Sequence, residues 1–309
     1  MMHTNIIDFI IAQLKDCEQG HVRNDFFPRT LYTSEQLFEG FNPQNQTSYN
    51  NTLDGQMMAY AEENNETRSL LMESLHDVFI DSYLREFVKG RKIIGIMGHA
   101  CTLRTATLFR EISFLCRSLA LNGFDIIHGG GPGVMEAAAL GAYFANYTEK
   151  DLEEAISILK QAPNMADELY RSKAFEVIKK YPLKQKNGVG IAIAVPTWAF
   201  ITEPTSIFSS VFAKYFDDGR REYALLNQSN CGIIFGPGGA GTLQEFFEGT
   251  VIDYTIKSGL PFVIYDVQDK GGGNLEKLAL PVIKLIYKDK KMDLLFTVDQ
   301  QKAIDFFRR

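Results

Sequence analysis

The sequence predicts an α/β protein: a doubly wound, mostly parallel, Rossmann-like sheet with helices on both faces and an N-terminal helical extension. Three observations carry this. From about residue 92 onward, short continuous apolar runs alternate with stretches of helical periodicity. Strands that are apolar on both faces belong in a parallel sheet covered by helices. Two glycine-rich loops, Gly129–Glu136 and Pro237–Glu245, each fall between a predicted strand and a predicted helix. The chain has 309 residues, 45% hydrophobic and 23% charged, which excludes a disordered or low-complexity chain and leaves room for a sizeable core.

Residues 1–90 read as a helical extension. Ile6, Ile7, Phe9, Ile10 and Ile11, interrupted by Asp8, suit an amphipathic helix and not a signal peptide. Asn42 to Asp54 has too little apolar content for a core and predicts an exposed connection. Arg68 to Val88 carries Leu70, Leu71, Leu75, Val78, Phe79, Tyr83, Leu84 and Phe87 at helical spacing, a face that must pack on something. Residues 91–309 are expected to form a Rossmann-like domain, nucleotide-binding on the strength of its two glycine loops. Lys92–Gly98 reads as a strand, Thr105–Asn122 as a helix closed by Gly123, and Phe124–His128 as the next strand, a right-handed βαβ unit. A helix follows Gly133, and a polar helical stretch near 148–181 reads as an insertion. Val189–Val195, Gly232–Phe235 and Pro261–Tyr265 complete the apolar strands.

Charge and cysteine usage narrow the partners. Lys and Arg number 32 against 38 Asp and Glu, a formal charge of −6, which argues against nucleic acid held by counterion release. Cys17, Cys101, Cys116 and Cys231 form no C-x-x-C pair, so neither a zinc site nor a disulfide framework is expected, and a reducing, cytoplasmic setting fits. No run reaches the roughly 18 apolar residues of a membrane span.

The chemistry concentrates in the two loops. Backbone without Cβ atoms approaches an anion closely, and the first free N–H groups of a helix point at it. Gly130, Gly131 and Gly133 of the first loop and Gly238, Gly239 and Gly241 of the second are the candidate cradle, with Thr242 adding a hydroxyl. The first loop is not the G-x-G-x-x-G fingerprint, because Glu136 stands at its third glycine, and neither loop continues into Gly-Lys-[Ser/Thr]. A monophosphate is therefore favoured over a triphosphate, and no metal or organic cofactor is expected. Glu245 follows Thr242 by about one turn, well placed for a ribose hydroxyl or a water. His99 and Glu203 stand where a ligand could reach them, and Thr205 and Trp198 are weaker candidates.

Pro237–Glu245 matches P-G-G-x-G-T-x-x-E at every fixed position, and Gly129–Glu136 has the G-G-G-P-G-V-M-E form. On these motifs residues 92 to about 270 resemble the LOG family. The resemblance implies a phosphoribohydrolase that splits the N-glycosidic bond of a nucleoside 5′-monophosphate into free base and ribose 5-phosphate, and a homo-oligomer. It implies Glu245 and an arginine as catalytic residues; an ungapped count puts Glu222 at the arginine position, with Arg221 one residue earlier. A carboxylate beside an oxocarbenium-like sugar suits that chemistry. The alternative is a sensor or carrier of the same fold that binds a nucleotide without turnover.

Overall fold

A computed structural model describes residues 27–63, 67–184, 188–200, 203–257, 259–265, 274–288 and 292–309. The helix expected at Ile6–Ile11 and Cys17 lie outside them. Seven parallel strands, β1 (Ile93–Met97), β2 (Asp125–His128), β3 (Ala192–Ala194), β4 (Val211–Phe212), β5 (Gly232–Phe235), β6 (Phe262–Ile264) and β7 (Leu294–Phe296), form one sheet in the order β4-β3-β2-β1-β5-β6-β7. β1 is central and fully buried, with Ile94 opposite Ile126 of β2 and Gly232 of β5. Its neighbours are equally buried, which is why their sequences show runs and not alternation.

Helices cover the sheet as the alternation predicted: α1 (Ser34–Phe38), α2 (Leu53–Glu63) and α3 (Thr67–Phe87), then α4 (Thr107–Leu121), α5 (Val134–Tyr143), α6 (Glu149–Leu159) and α7 (Tyr170–Lys180), and last α8 (Asp218–Gln228), α9 (Ala240–Ile252), α10 (Asn274–Tyr287) and α11 (Gln300–Phe307). β4 and β7 escape the sequence patterns because each lies in an apolar run of only three residues, bounded by Ser210 and Lys214 and by Asp293 and Thr297, whereas β3 and β6 lie inside longer apolar runs.

Two expectations for the N-terminal region change. Asn42 to Asp54 is not wholly exposed: Tyr49, Thr52 and Asp54 are buried, and the Asp54 carboxylate accepts bonds from Lys214 Nζ (2.6 Å), Trp198 Nε1 (3.0 Å) and Tyr49 Oη (2.9 Å). A charge can sit in a core when it is paired and hydrogen-bonded like this. On α3 the buried side is Met72, His76, Asp77, Phe79, Ile80 and Leu84, whereas Leu70, Leu71 and Val78 face solvent. Asp77 is tolerated there because it accepts the Phe216 and Asp217 N–H groups at 3.0 and 2.9 Å. Tyr32 and Phe212 exchange backbone bonds at the β4 edge, and Phe27, Leu37, Phe79 and Leu84 belong to the same hydrophobic core as the sheet.

Candidate ligand-binding site

In a doubly wound sheet the loops at the carboxyl ends of the strands part where strand order reverses, and ligands bind there. Here the reversal lies between β1 and β5. The chain leaving β1 and the chain leaving β5 are stitched together at their roots, Gly236 N–H to Met97 O (2.9 Å) and His99 N–H to Pro237 O (3.0 Å), and then part around a cleft of about 320 Å³. His99, Cys101, Met135, Phe200, Glu203, Arg221, Gly239, Gly241, Thr242 and Glu245 line it.

The second glycine loop forms the floor. Gly238 to Gly241 are exposed, Gly239 is the N-cap of α9, and no side chain caps that helix. The N–H groups of its first turn have no intrahelical acceptor and carry the positive end of the dipole toward the cleft. A Cβ on Gly238 would stand 2.1 Å from Thr242 Oγ1, so glycine is what lets the threonine fold over the turn; around Gly241 the space is open.

The first glycine loop stands behind the cleft. Gly129 to Gly133 are buried, and Gly130, Gly131 and Gly133 do not line the cleft. Gly130 (φ +79°) would drive a Cβ to 2.7 Å from Pro196, and Gly133 (φ +68°) to 2.3 Å from the His99 carbonyl. Both backbone polar groups of Gly130 are engaged: its N–H donates to His128 Nδ1 (3.0 Å) and its carbonyl accepts Ser206 N–H (2.8 Å). With Nδ1 accepting, His128 donates through Nε2 to Ser209 Oγ (2.9 Å); burial and the nearby Arg221 push its pKa down to about 3, so this ring is neutral. These glycines serve close internal packing, seating the cleft-lining residues His99, Met135, Glu203 and Arg221 against the loop from behind.

One guanidinium meets several carboxyls on the cleft wall. Arg221 is buried, donates through Nε to Val195 O (2.9 Å), and holds Nη1 at 3.9 Å from Glu245 Oε1 and 3.7 Å from Asp218 Oδ1. Glu222, the alternative from the ungapped count, turns away and accepts Gln244 Nε2 (2.5 Å). Burial pushes the Glu245 carboxyl up to about 7 against the opposing pull of Arg221, with Glu222, Asp218 and Glu203 adding repulsion. Burial raises Glu203 as well. His99 Nδ1 accepts Cys101 N–H (2.8 Å), which leaves the neutral ring's proton on Nε2, the nitrogen nearest Gly239.

Of the weaker candidates, Thr205 is turned into the core as an acceptor for Lys214 Nζ (2.6 Å), and Trp198 is fully buried against Asp54 and Phe216, so it stacks on no ligand. The exposed aromatic is Phe200, two residues on, 44% exposed at the cleft mouth. Phe200 and Cys101 carried no motif; an apolar aromatic placed just after a strand end was the available signal. Among the described residues no group of His, Cys, Asp and Glu could hold a metal ion, and no helix is long and apolar enough to cross a membrane.

No protein-family model matches the chain, and no curated protein matches it in sequence. Solved structures of similar fold include the molybdenum cofactor carrier protein of Chlamydomonas reinhardtii, at 18% identity and a TM-score of 0.45 over 71% of this chain and 96% of that one. Another is the molybdenum cofactor binding protein of the phototrophic bacterium Rippkaea orientalis, at 17% identity and 0.43 over 71% and 97%. These findings correct the expectations drawn from the motifs. LOG-family membership and the nucleoside-monophosphate glycosidase that it implied are not upheld: no family model matches the chain, and the solved structures it is similar to are those of a cofactor carrier and a cofactor binder. The physical reason is that P-G-G-x-G-T-x-x-E specifies a strand, a turn and a helix N-terminus with a carboxylate one turn up. That is a helix N-terminus with free N–H groups, and such a terminus does not by itself specify bond cleavage.

Proposed function

We propose that this protein is a sensor or carrier that binds a phosphate-bearing, nucleotide-type ligand at the β1/β5 cleft and releases it unchanged. The observation that carries the reading is the exposed, uncapped first turn of α9 at the point where strand order reverses. The phosphate sits on the N–H groups following Gly238 and on the Thr242 hydroxyl, with His99 Nε2–H as a further donor. Glu245 and Glu203 accept hydroxyl or amino protons from the rest of the ligand, and Phe200 offers a flat apolar face to a ring. A second phosphate would meet these carboxyls, which favours one phosphate over two or three.

The test is calorimetric titration with AMP, GMP, CMP, UMP, IMP, inorganic phosphate and the molybdenum cofactor, with chromatography of each mixture afterwards. Saturable binding of at least one ligand, recovered intact, is expected. Absence of binding, or free base in the mixture, overturns the reading. Self-association belongs to the same proposal: Leu70, Leu71 and Val78 of α3 are 45 to 64% exposed, and sedimentation should show a species heavier than 34.9 kDa.

A further inference from the structure

The cleft wall made by residues 98–101 is held at its root by the two glycine loops, and its far end is held by something else. Three residues beyond the wall, Arg104 is 1% exposed and its guanidinium lies along the buried carboxylate of Glu136, Nε to Oε2 at 2.8 Å and Nη2 to Oε1 at 2.6 Å. Nη1 donates to Ala162 O (3.2 Å) and Tyr170 O (3.0 Å), the Tyr170 ring stacks 3.4 Å from the guanidinium carbon, and Tyr170 Oη donates to Glu136 Oε2 (2.7 Å). Arg104 N–H also donates to Pro163 O (3.1 Å). Ala162, Pro163 and Tyr170 all lie where α6 turns into α7, within the insertion. Glu136 sits in the first turn of α5, beside Met135 of the cleft. One buried ion pair thus joins the insertion, the cleft wall and the helix that follows the first glycine loop, while no residue of 149–180 lines the cleft.

We propose that the insertion is a brace and not a lid: through the Arg104–Glu136–Tyr170 clamp it sets where His99 and Cys101 stand, and these three are positioning residues for the ligand. An ion pair this enclosed fixes geometry more surely than it adds stability, because its desolvation penalty offsets its attraction. The bidentate fork and the stacked ring leave the guanidinium one orientation, and the wall follows it. Loss of the clamp frees the wall without touching any ligand-binding group.

The affinity arm of the test rests on the proposed function; the exchange arm does not. Tyr170→Phe keeps the ring and removes one hydrogen bond, and the double variant Arg104→Met/Glu136→Leu removes both charges at similar volume, a replacement that buried pairs often tolerate. Hydrogen exchange should show the His99 and Cys101 amides at least tenfold faster in the double variant and about threefold faster in Tyr170→Phe, with β1 and β5 amides unchanged. AMP affinity should fall by the same factors. Exchange at His99 and Cys101 within 1.5-fold of wild type in Tyr170→Phe overturns the brace, and that variant decides the matter if the double variant does not fold. Faster exchange in a protein whose wild type binds none of the nucleotides, phosphate or cofactor titrated above leaves the brace standing and removes the proposed function; binding of any of them with unchanged exchange does the reverse.

Discussion

The loops after β2 and β5 both carry a strand into the N-terminus of a helix, and the protein uses them differently. Around Gly129–Gly133 every side is filled: Pro196, the His99 carbonyl, Met135 and Arg221 all stand within 3 Å of a Cβ that glycine does not have. Around Gly238–Gly241 the turn faces open space on the cleft side, and the one near neighbour is its own Thr242. The difference teaches that a glycine-rich turn admits close approach without naming what approaches. In one loop it is the rest of the protein, and in the other a ligand has room.

Substitutions at the glycines separate these roles. Gly133→Ala should give the largest effect, a loss of at least about 3 kcal/mol in urea unfolding, from a side chain at positive φ plus a clash with backbone that cannot rotate away. If Gly133→Ala folds with wild-type stability, the first loop is not the packing element described. Glu245→Gln comes next and depends on pH. Its carboxyl is raised to about 7 from 4.5, so its contribution to folding is fully present below pH 4.5 and is lost as pH rises to 7. The variant should match wild type near pH 4 and exceed it by up to about 3 kcal/mol at pH 8, read from denaturant midpoints across that range. An equal difference at both pH values would show that the buried carboxyl is not strained by its charge.

Gly238→Ala should lower stability by only about 1 kcal/mol, since the exposed turn can shift away from the Thr242 Oγ1 and Cβ that would stand 2.1 and 2.3 Å from the added Cβ, yet weaken AMP binding more than tenfold in calorimetry by disturbing the cradle. Equal losses in stability and affinity would make the second loop resemble the first. The smallest effect belongs to Gly241→Ala: stability within about 0.5 kcal/mol, because helix propensity favours the change and nothing lies within 4 Å, with affinity reduced a few-fold by a methyl group in the cleft.

Much of this was legible from residue order. β1, β2 and β5 appeared within one or two residues of their observed ends, because a strand buried on both faces must be apolar throughout. Glu245, Thr242 and Arg221 were singled out and do meet at one cleft. Periodicity misplaced the inner side of α3, because it weighs Leu70, Leu71 and Val78 above His76 and Asp77, and only neighbours such as Tyr32 Oη, 2.9 Å from His76 Nε2, make those polar residues acceptable inside. Trp198 drew attention for the same reason, as a large aromatic near a strand end, while the exposed ring belongs to Phe200.

Local pattern by itself determined the parallel α/β class, the principal strands and the positions of both turns, since burial on one or two faces is written into a few consecutive residues. Tertiary structure alone decided that strand order reverses between β1 and β5, which puts one glycine loop at an open cleft and packs the other inside. It also decided that Asp54 pairs with Lys214, 160 residues away, and that Arg104 reaches Glu136 and Tyr170. Such pairings depend on which strands become neighbours, and no window of sequence contains both partners.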